Sequence, residues 1–212
     1  MGKILRTSGK KAFLQLINHQ AFTNKTGIMI NRKDVAIIPP AAIFIGPPRA
    51  RVTVMEYGDY ECEVALHNDL IVRESLQRYP GMVNFNYRHF PQLKIHQKAH
   101  KAAEAAIAAA QEGKFAQMHD LILHNRRNLG TASLAFYARE LGIGGMNFLD
   151  SLVSGKFGRY VQDDLVTGMK MGVKDAPTFF INGKKMEGKL TVRNLCAAIE
   201  ASLNKRVSKI HS

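Results

Sequence analysis

The thiol of Cys62 is the side chain of this 212-residue sequence best placed for covalent chemistry. It follows an alternating run that begins at Val52 and stands just before a segment with helical periodicity. A thiol at the N-terminal end of a helix faces unpaired N–H groups and the positive end of the helix dipole, which favour the thiolate over a free thiol with a pKa of about 8.5. The flanking Glu61 and Glu63 oppose this effect by adding negative charge. The second thiol, Cys196, lies on the apolar stripe of the last predicted helix, where we expect it to be buried.

A carboxyl group and a histidine pair are the other candidates. Glu56 shares a face of the alternating run with Val52 and Val54, so we expect it to be buried, and burial raises the pKa of a carboxyl group. His96 and His100 are four residues apart and could bind a metal, but a polar pair at a helix start is the simpler interpretation. The cysteines and histidines show no paired spacing typical of a zinc site, so we predict no metal.

The elements that must position these residues follow from periodicity. Four strands are predicted, near 51–57, 82–90, 178–182 and 184–188. Three helical regions are predicted, from Cys62 to Pro80-Gly81, within 94–170 and over 190–204. Asn182-Gly183 is typical of a type I′ hairpin turn. The result is an α/β protein with a four-stranded mixed sheet, in which a helical insertion separates a βαβ half from a ββα half.

The net charge of +13 is concentrated at the two ends of the chain. Residues 1–34 carry seven basic and one acidic side chain, and residues 184–212 carry seven basic and two acidic. Solvated ends are a simpler interpretation than anion binding, and the basic residues are not interleaved with aromatics, so nucleic acid is an unlikely partner. We predict a basic extension and Pro-rich linker at 1–48, one domain at 49–205 and a basic tail at 206–212.

Composition and hydropathy exclude several classes of protein. An apolar fraction of 46% and a charged fraction of 22% are those of a globular chain. The longest uncharged run, 35–48, contains four prolines and is shorter than the roughly 20 apolar residues of a spanning helix. The apolar stretch near the N-terminus is short and is not followed by a cleavage pattern. We therefore expect no membrane span, no secretory signal and a location in the reducing cytoplasm.

Four segments, in chain order, resemble DsbA-like thioredoxin-fold proteins: 52–62, 87–91, 114–120 and 172–183. The resemblance extends over roughly 46–204 and implies a thioredoxin-like fold with a helical insertion. In that family the first helix opens with Cys-x-x-Cys, where the first cysteine attacks and the second resolves the mixed disulfide. The corresponding residues here are Cys62-Glu63-Val64-Ala65, so the resolving thiol is missing.

The resemblance leaves two functions open. One is a thiol–disulfide oxidoreductase that acts through Cys62 alone and needs no cofactor. An external thiol, of which glutathione is a candidate, resolves its mixed disulfides with protein or small-molecule thiols. The other is a catalytically inactive module that binds extended peptides.

Three further residues take roles from the resemblance. It implies a cis peptide bond before Pro177, with the proline packed against Cys62 and the main chain of Ala176 free to pair with an extended substrate. It also places Glu56 where redox-active relatives have a buried acid that carries protons. Because position 65 holds no thiol to deprotonate, the residues slightly favour a structural role for Glu56.

Overall fold

The centre of the molecule is a four-stranded mixed sheet. The structure is a computed structural model and describes residues 37–208. The strands are Val52–Gly58 (β1), Val83–His89 (β2), Thr178–Ile181 (β3) and Lys184–Lys185 (β4). They lie in the order β2-β1-β3-β4, with β1 parallel to β2 and antiparallel to β3, and β4 antiparallel to β3. This is the mixed sheet predicted from the sequence.

The helices fall into two groups. Their bounds are Ala65–Gln77 (α1), Ala99–Gln111 (α2), Phe115–His124 (α3), Thr131–Glu140 (α4), Met146–Val153 (α5), Gly158–Lys170 (α6) and Val192–Ser208 (α7). Helices α1 and α7 contact each other and the sheet, whereas α2 to α6 form the insertion between β2 and β3. Within residues 94–170 the structure contains these helices and no strand, which confirms the predicted helical block. In the described range 37–208, no helix combines the length and the apolar character needed to cross a membrane.

Alternation and small side chains explain the packing. Val52, Val54 and Glu56 are buried on one face of β1, and Tyr57 on the other face packs against Phe180 with rings 5.9 Å apart. Helix α2 is buried on nearly all sides because its alanines let α3 to α6 approach closely. Helix α6 also contacts β2, so the insertion packs against the sheet.

The final hairpin is shorter than predicted. Asn182 and Gly183 both have positive φ, 49° and 79°, as a type I′ turn requires. The predicted strand at 184–188 is reduced to Lys184–Lys185, and one more bond, from the Met186 N–H to the Phe179 carbonyl at 2.8 Å, continues the pairing. Gly188, with φ of 83°, lies in a bend after β4.

The Pro-rich segment 38–48 lies along the free edge of β2. It contains a 3₁₀ turn at Pro40–Ala42, and Ile45 pairs with Phe85 as an antiparallel bridge. The Asn86 side-chain amide donates to the carbonyls of Pro40 and Ile43 at 2.9 and 2.7 Å. The segment covers a strand edge that would otherwise be exposed. Residues 1–36 of the predicted extension and linker, and residues 209–212 of the predicted tail, lie outside the described residues.

Gly168 is needed where α6 packs on aromatic rings. A Cβ there would lie 2.9 Å from Tyr57 Cε1 and 3.0 Å from Phe90 Cδ2. We expect Gly168→Ala to lower the free energy of unfolding by about 1–3 kcal/mol, measured by urea denaturation. Gly158→Ala on the same helix is the matched control, because its nearest neighbour, His100 Cε1, would lie 3.4 Å away. Equal stabilities of the two variants would contradict this packing.

Candidate active site

Cys62 lies in the turn between β1 and α1. Its N–H donates to the Asp59 carbonyl at 3.1 Å, and its own carbonyl accepts the N–H of Ala65 at 3.1 Å. Helix α1 begins at Ala65, so the predicted start near Cys62 is about one turn too early. The hydrogen-bonded turn at 59–65 delays the helix. Cys62 is partly exposed, Cys196 is buried, and both are free thiols.

The turn brings Cys62 to Ala176 and Pro177. The Ala176–Pro177 peptide bond is cis, as the resemblance implies. The sulfur of Cys62 lies 3.9 Å from the Ala176 carbonyl oxygen, to which the thiol can donate a hydrogen bond. Residues 114 positions apart in the chain thus meet, and the main chain before the proline borders the thiol.

Asp59 connects the cysteine turn to the segment after β2. Its buried carboxylate accepts the N–H of Glu61 at 2.8 Å on one oxygen. The other oxygen accepts the N–H of Gln92 at 2.7 Å and lies 2.8 Å from His96 Nδ1. Sequence reasoning missed Asp59, although an Asp two residues before a chain turn is a common acceptor for local N–H groups.

The two histidines considered as a metal pair contact different carboxylates. His96 pairs with Asp59, whereas His100 Nδ1 lies 3.3 Å from Glu104 on α2. Among the described residues, no group of three or more His, Cys, Asp or Glu side chains could hold a metal ion.

The two glutamates beside Cys62 have partners of their own. Glu61 Oε2 accepts the N–H groups of Lys98 and Ala99 at 2.7 and 2.8 Å, so it caps the N-terminus of α2. Glu63 is 86% exposed and lies 3.7 Å from Arg126. These contacts compensate part of the negative charge of Glu61 and Glu63, which was expected to disfavour a Cys62 thiolate.

Glu56 is buried in the sheet, as predicted. Only 2% of its surface is exposed. Burial raises the pKa of Glu56 well above its usual value, and the negative charge of Asp69 raises it further. Its carboxyl group can therefore hold a proton at a higher pH than an exposed glutamate.

A buried polar chain behind the cysteine turn was not predicted. Tyr60 Oη lies 2.9 Å from His119 Nδ1, and His119 Nε2 lies 3.4 Å from an Asp69 oxygen. Burial alone would raise the pKa of Asp69, but His119 and the paired Arg73 guanidinium hold it below its usual value. The spacing of Asp69 and Arg73 was visible in the sequence, whereas their link to Tyr60 through α3 was not.

A groove of about 470 Å³ runs beside Pro177, between the start of α1 and the β3–β4 hairpin. Its apolar lining residues are Val64, Pro177, Phe179, Met186 and Leu190. Its charged or titratable lining residues are His67, Lys185, Glu187 and Lys189. An extended chain placed there would touch apolar side chains and an excess of basic groups.

A family model described as thioredoxin matches residues 39–201. The chain belongs to the thioredoxin family. Solved structures of DsbA-like proteins share its fold. A thioredoxin-like oxidoreductase from Silicibacter pomeroyi has a TM-score of 0.69 at 23% identity, covering 82% of this chain and 99% of its own. BdbD from Bacillus subtilis has a TM-score of 0.68 at 21% identity, covering 78% and 93%. The predicted DsbA-like fold with a helical insertion is confirmed.

This thioredoxin-family segment is also similar to part of several longer proteins. Na(+)/H(+) antiporter NhaA 3 of Salinispora tropica is 37% identical over 154 residues, which are 73% of this chain and 24% of that protein. The antiporter NhaA of Herminiimonas arsenicoxydans is 31% identical over 157 residues, or 74% and 25%. The chain thus spans about a quarter of the length of the curated relatives it matches.

Proposed function

We propose that this protein is a thiol–disulfide oxidoreductase that acts through Cys62 alone. The observation that carries the proposal is the position of the Cys62 sulfur, 3.9 Å from the carbonyl before the cis proline and partly exposed. The membership of the thioredoxin family supports it. Ala65 occupies the resolving position, so the second thiol must come from another molecule.

The proposed reaction needs three exchanges, two of which involve Cys62. The Cys62 thiolate attacks one sulfur of a substrate disulfide, which forms a mixed disulfide and releases the other substrate sulfur as a thiolate. An external thiolate, for which we propose glutathione, then attacks the mixed disulfide at the substrate sulfur and releases the Cys62 thiolate. A second external thiol returns the substrate sulfur to a thiol, so the two electrons come from two external thiols. A reducing cytoplasm, the proposed location, would supply them.

The proposed substrates are protein or small-molecule disulfides. The groove beside Pro177 and the main chain of Ala176 support binding of an extended segment. Glu56 is the proposed proton carrier, because burial raises its pKa and lets it hold a proton at a higher pH than an exposed glutamate. No cofactor is needed in this scheme.

Turnover of a small disulfide by the full chain with glutathione tests the proposal. Cys62→Ser is expected to reduce the rate to that of glutathione alone, because the nucleophile is lost. The matched control is Cys196→Ser, which removes the buried thiol of α7 and is expected to keep the parent rate. The same rate in the parent and in Cys62→Ser would overturn the proposal.

The antiporter relatives favour a second candidate, a binding module without redox activity. In those proteins a segment like this one is joined to a much longer chain, and Ala65 is consistent with lost catalysis. This candidate predicts that a cysteine-free extended peptide binds the groove equally well in the parent and in Cys62→Ser, measured by calorimetry, while neither protein turns over disulfides.

A further inference from the structure

Gln92 shares a hydrogen-bond acceptor with the thiol of Cys62. Gln92 Nε2 donates to the Ala176 carbonyl oxygen at 3.4 Å, and the Cys62 sulfur lies 3.9 Å from the same oxygen. The Gln92 N–H donates to the buried Asp59 carboxylate at 2.7 Å. The main chain of Gln92 is therefore anchored, and its side-chain amide reaches the oxygen that the thiol contacts.

Loss of the thiol proton removes the donor of the contact between Cys62 and the Ala176 carbonyl. A neutral Cys62 can donate its S–H to the Ala176 carbonyl, but a thiolate can only accept, and it then faces the negative end of that carbonyl. A primary amide has two N–H donors. Two donors would let Gln92 keep one on the carbonyl oxygen and direct the other towards the sulfur, which contacts the same oxygen. The residue at position 65 is alanine and offers no side-chain donor.

We propose that Gln92 donates a hydrogen bond to the Cys62 thiolate. This inference rests on the proposed role of Cys62 as the nucleophile. The donor stabilises the sulfur in the form that attacks a disulfide. It also stabilises the same sulfur as it leaves, when the external thiolate attacks the substrate sulfur of the mixed disulfide and the bond to Cys62 breaks. Gln92 thus supports both exchanges that involve Cys62 through its Nε2 amide group, and its own charge does not change.

The titratable groups around the turn are constant in a comparison of Gln92 variants. Asp59, Glu61 and Glu63 belong to the turn that holds Cys62, and His96 belongs to the loop packed against it. Tyr87 is buried below, with its pKa raised by burial and, less strongly, by nearby groups that include Cys62. An uncharged replacement of Gln92 alters none of these charges, so a change in the pH profile of Cys62 reports the amide itself.

Alkylation of Cys62 by iodoacetamide in the full chain, followed by peptide mass spectrometry across pH, tests the proposal. A hydrogen bond to a charged group contributes about 1.5 kcal/mol, so the pH midpoint of Gln92→Leu is expected to move upward by about one unit. The greater nucleophilicity of its thiolate offsets part of this loss, so alkylation at pH 7 is expected to be about fourfold slower than in the parent. Gln92→Glu places a negative charge there and is expected to move the midpoint further. The control Gln97→Leu changes an exposed amide of the same segment and is expected to keep the parent profile.

The rate at high pH separates a donor from a structural support. All forms of the protein then carry the thiolate. Because a thiolate of higher pKa is more nucleophilic, Gln92→Leu is expected to reach a limiting rate about threefold above that of the parent. A parent-like midpoint in Gln92→Leu, or an altered limiting rate with the midpoint unchanged, would overturn the proposal. Gln92→Met is a second uncharged variant, used if thermal denaturation shows that Gln92→Leu is unfolded. Alkylation needs no turnover, so a failure here is distinguishable from failure of the Cys62→Ser test.

Discussion

The Ala65→Cys variant is expected to form an internal disulfide with Cys62 on oxidation and to reduce a disulfide substrate faster than the parent. The Ala65 N–H donates to the Cys62 carbonyl at 3.1 Å. Such a four-residue turn keeps its end Cα atoms within about 7 Å, near the span of a disulfide. Ala65 is buried, and the substitution adds one sulfur atom. An internal resolving thiol replaces a bimolecular step, so we expect a gain of at least about tenfold.

Mass spectrometry of the oxidised variant and turnover of the same disulfide with glutathione give the two readouts. Ala108→Cys, at a buried alanine of α2, controls for the addition of a thiol and is expected to show neither effect. If Ala65→Cys forms no internal disulfide, the turn does not have this geometry and the binding module is the better function. Equal turnover by parent and variant would show that the external thiol already resolves the mixed disulfide as fast as an internal one.

The His89→Phe variant is expected to be more stable than the parent in mild acid. Both ring nitrogens of the buried His89 are without a hydrogen-bond partner within the described part of the chain. Burial lowers the pKa of His89 to about 3, and nearby His119, Arg88 and His100 act in the same direction. The native state thus keeps the ring neutral, while the unfolded chain takes up a proton near pH 6.5.

The lowered pKa of His89 sets the sign of the pH dependence. Because the folded pKa is lowered, the contribution of His89 to stability is fully present above about pH 6.5 and is lost as the pH falls towards 3. The loss is about 1.4 kcal/mol for each pH unit, or about 2 kcal/mol at pH 5. Phenylalanine has no proton to bind and removes this loss. Glu56, whose raised pKa acts with the opposite sign, is present in both proteins, so its effect cancels in their difference.

Urea denaturation of the parent and His89→Phe at pH 7.5 and pH 5 measures that difference. His67→Gln removes an exposed histidine and is expected to follow the parent at both values. If the parent and His89→Phe lose the same stability between the two pH values, His89 is not held neutral in the native protein.

Periodicity predicted the elements well, because burial of a strand face or a helix stripe repeats along the chain. The alternation at Val52–Gly58 and the alanine spacing of α2 both correspond to observed elements. The resemblance supplied the pairing of Cys62 with Pro177, which no local pattern contains. It also gave the cis peptide bond.

The contacts that surround Cys62 could not be predicted, because they depend on the paths of loops. Glu61 caps α2, which begins 38 positions later in the chain, and Asp59 accepts the N–H of Gln92, which lies 33 positions later. Neither partner has a periodic position relative to the other. Gln92 reaches Ala176 across 84 positions, and only the three-dimensional path of the segment after β2 brings them together.

Formation of a glutathione adduct on Cys62 is the most direct test of a single-cysteine mechanism. The full chain is held in a glutathione redox buffer, and intact and peptide mass spectrometry follow adducts on both cysteines with time. Cys62 is partly exposed beside the Ala176 carbonyl, whereas Cys196 is buried. The mechanism predicts that Cys62 takes up glutathione rapidly, that excess reduced glutathione reverses the adduct, and that Cys196 stays unmodified in the folded protein. No adduct on Cys62, or modification of Cys62 no faster than of Cys196, would contradict it.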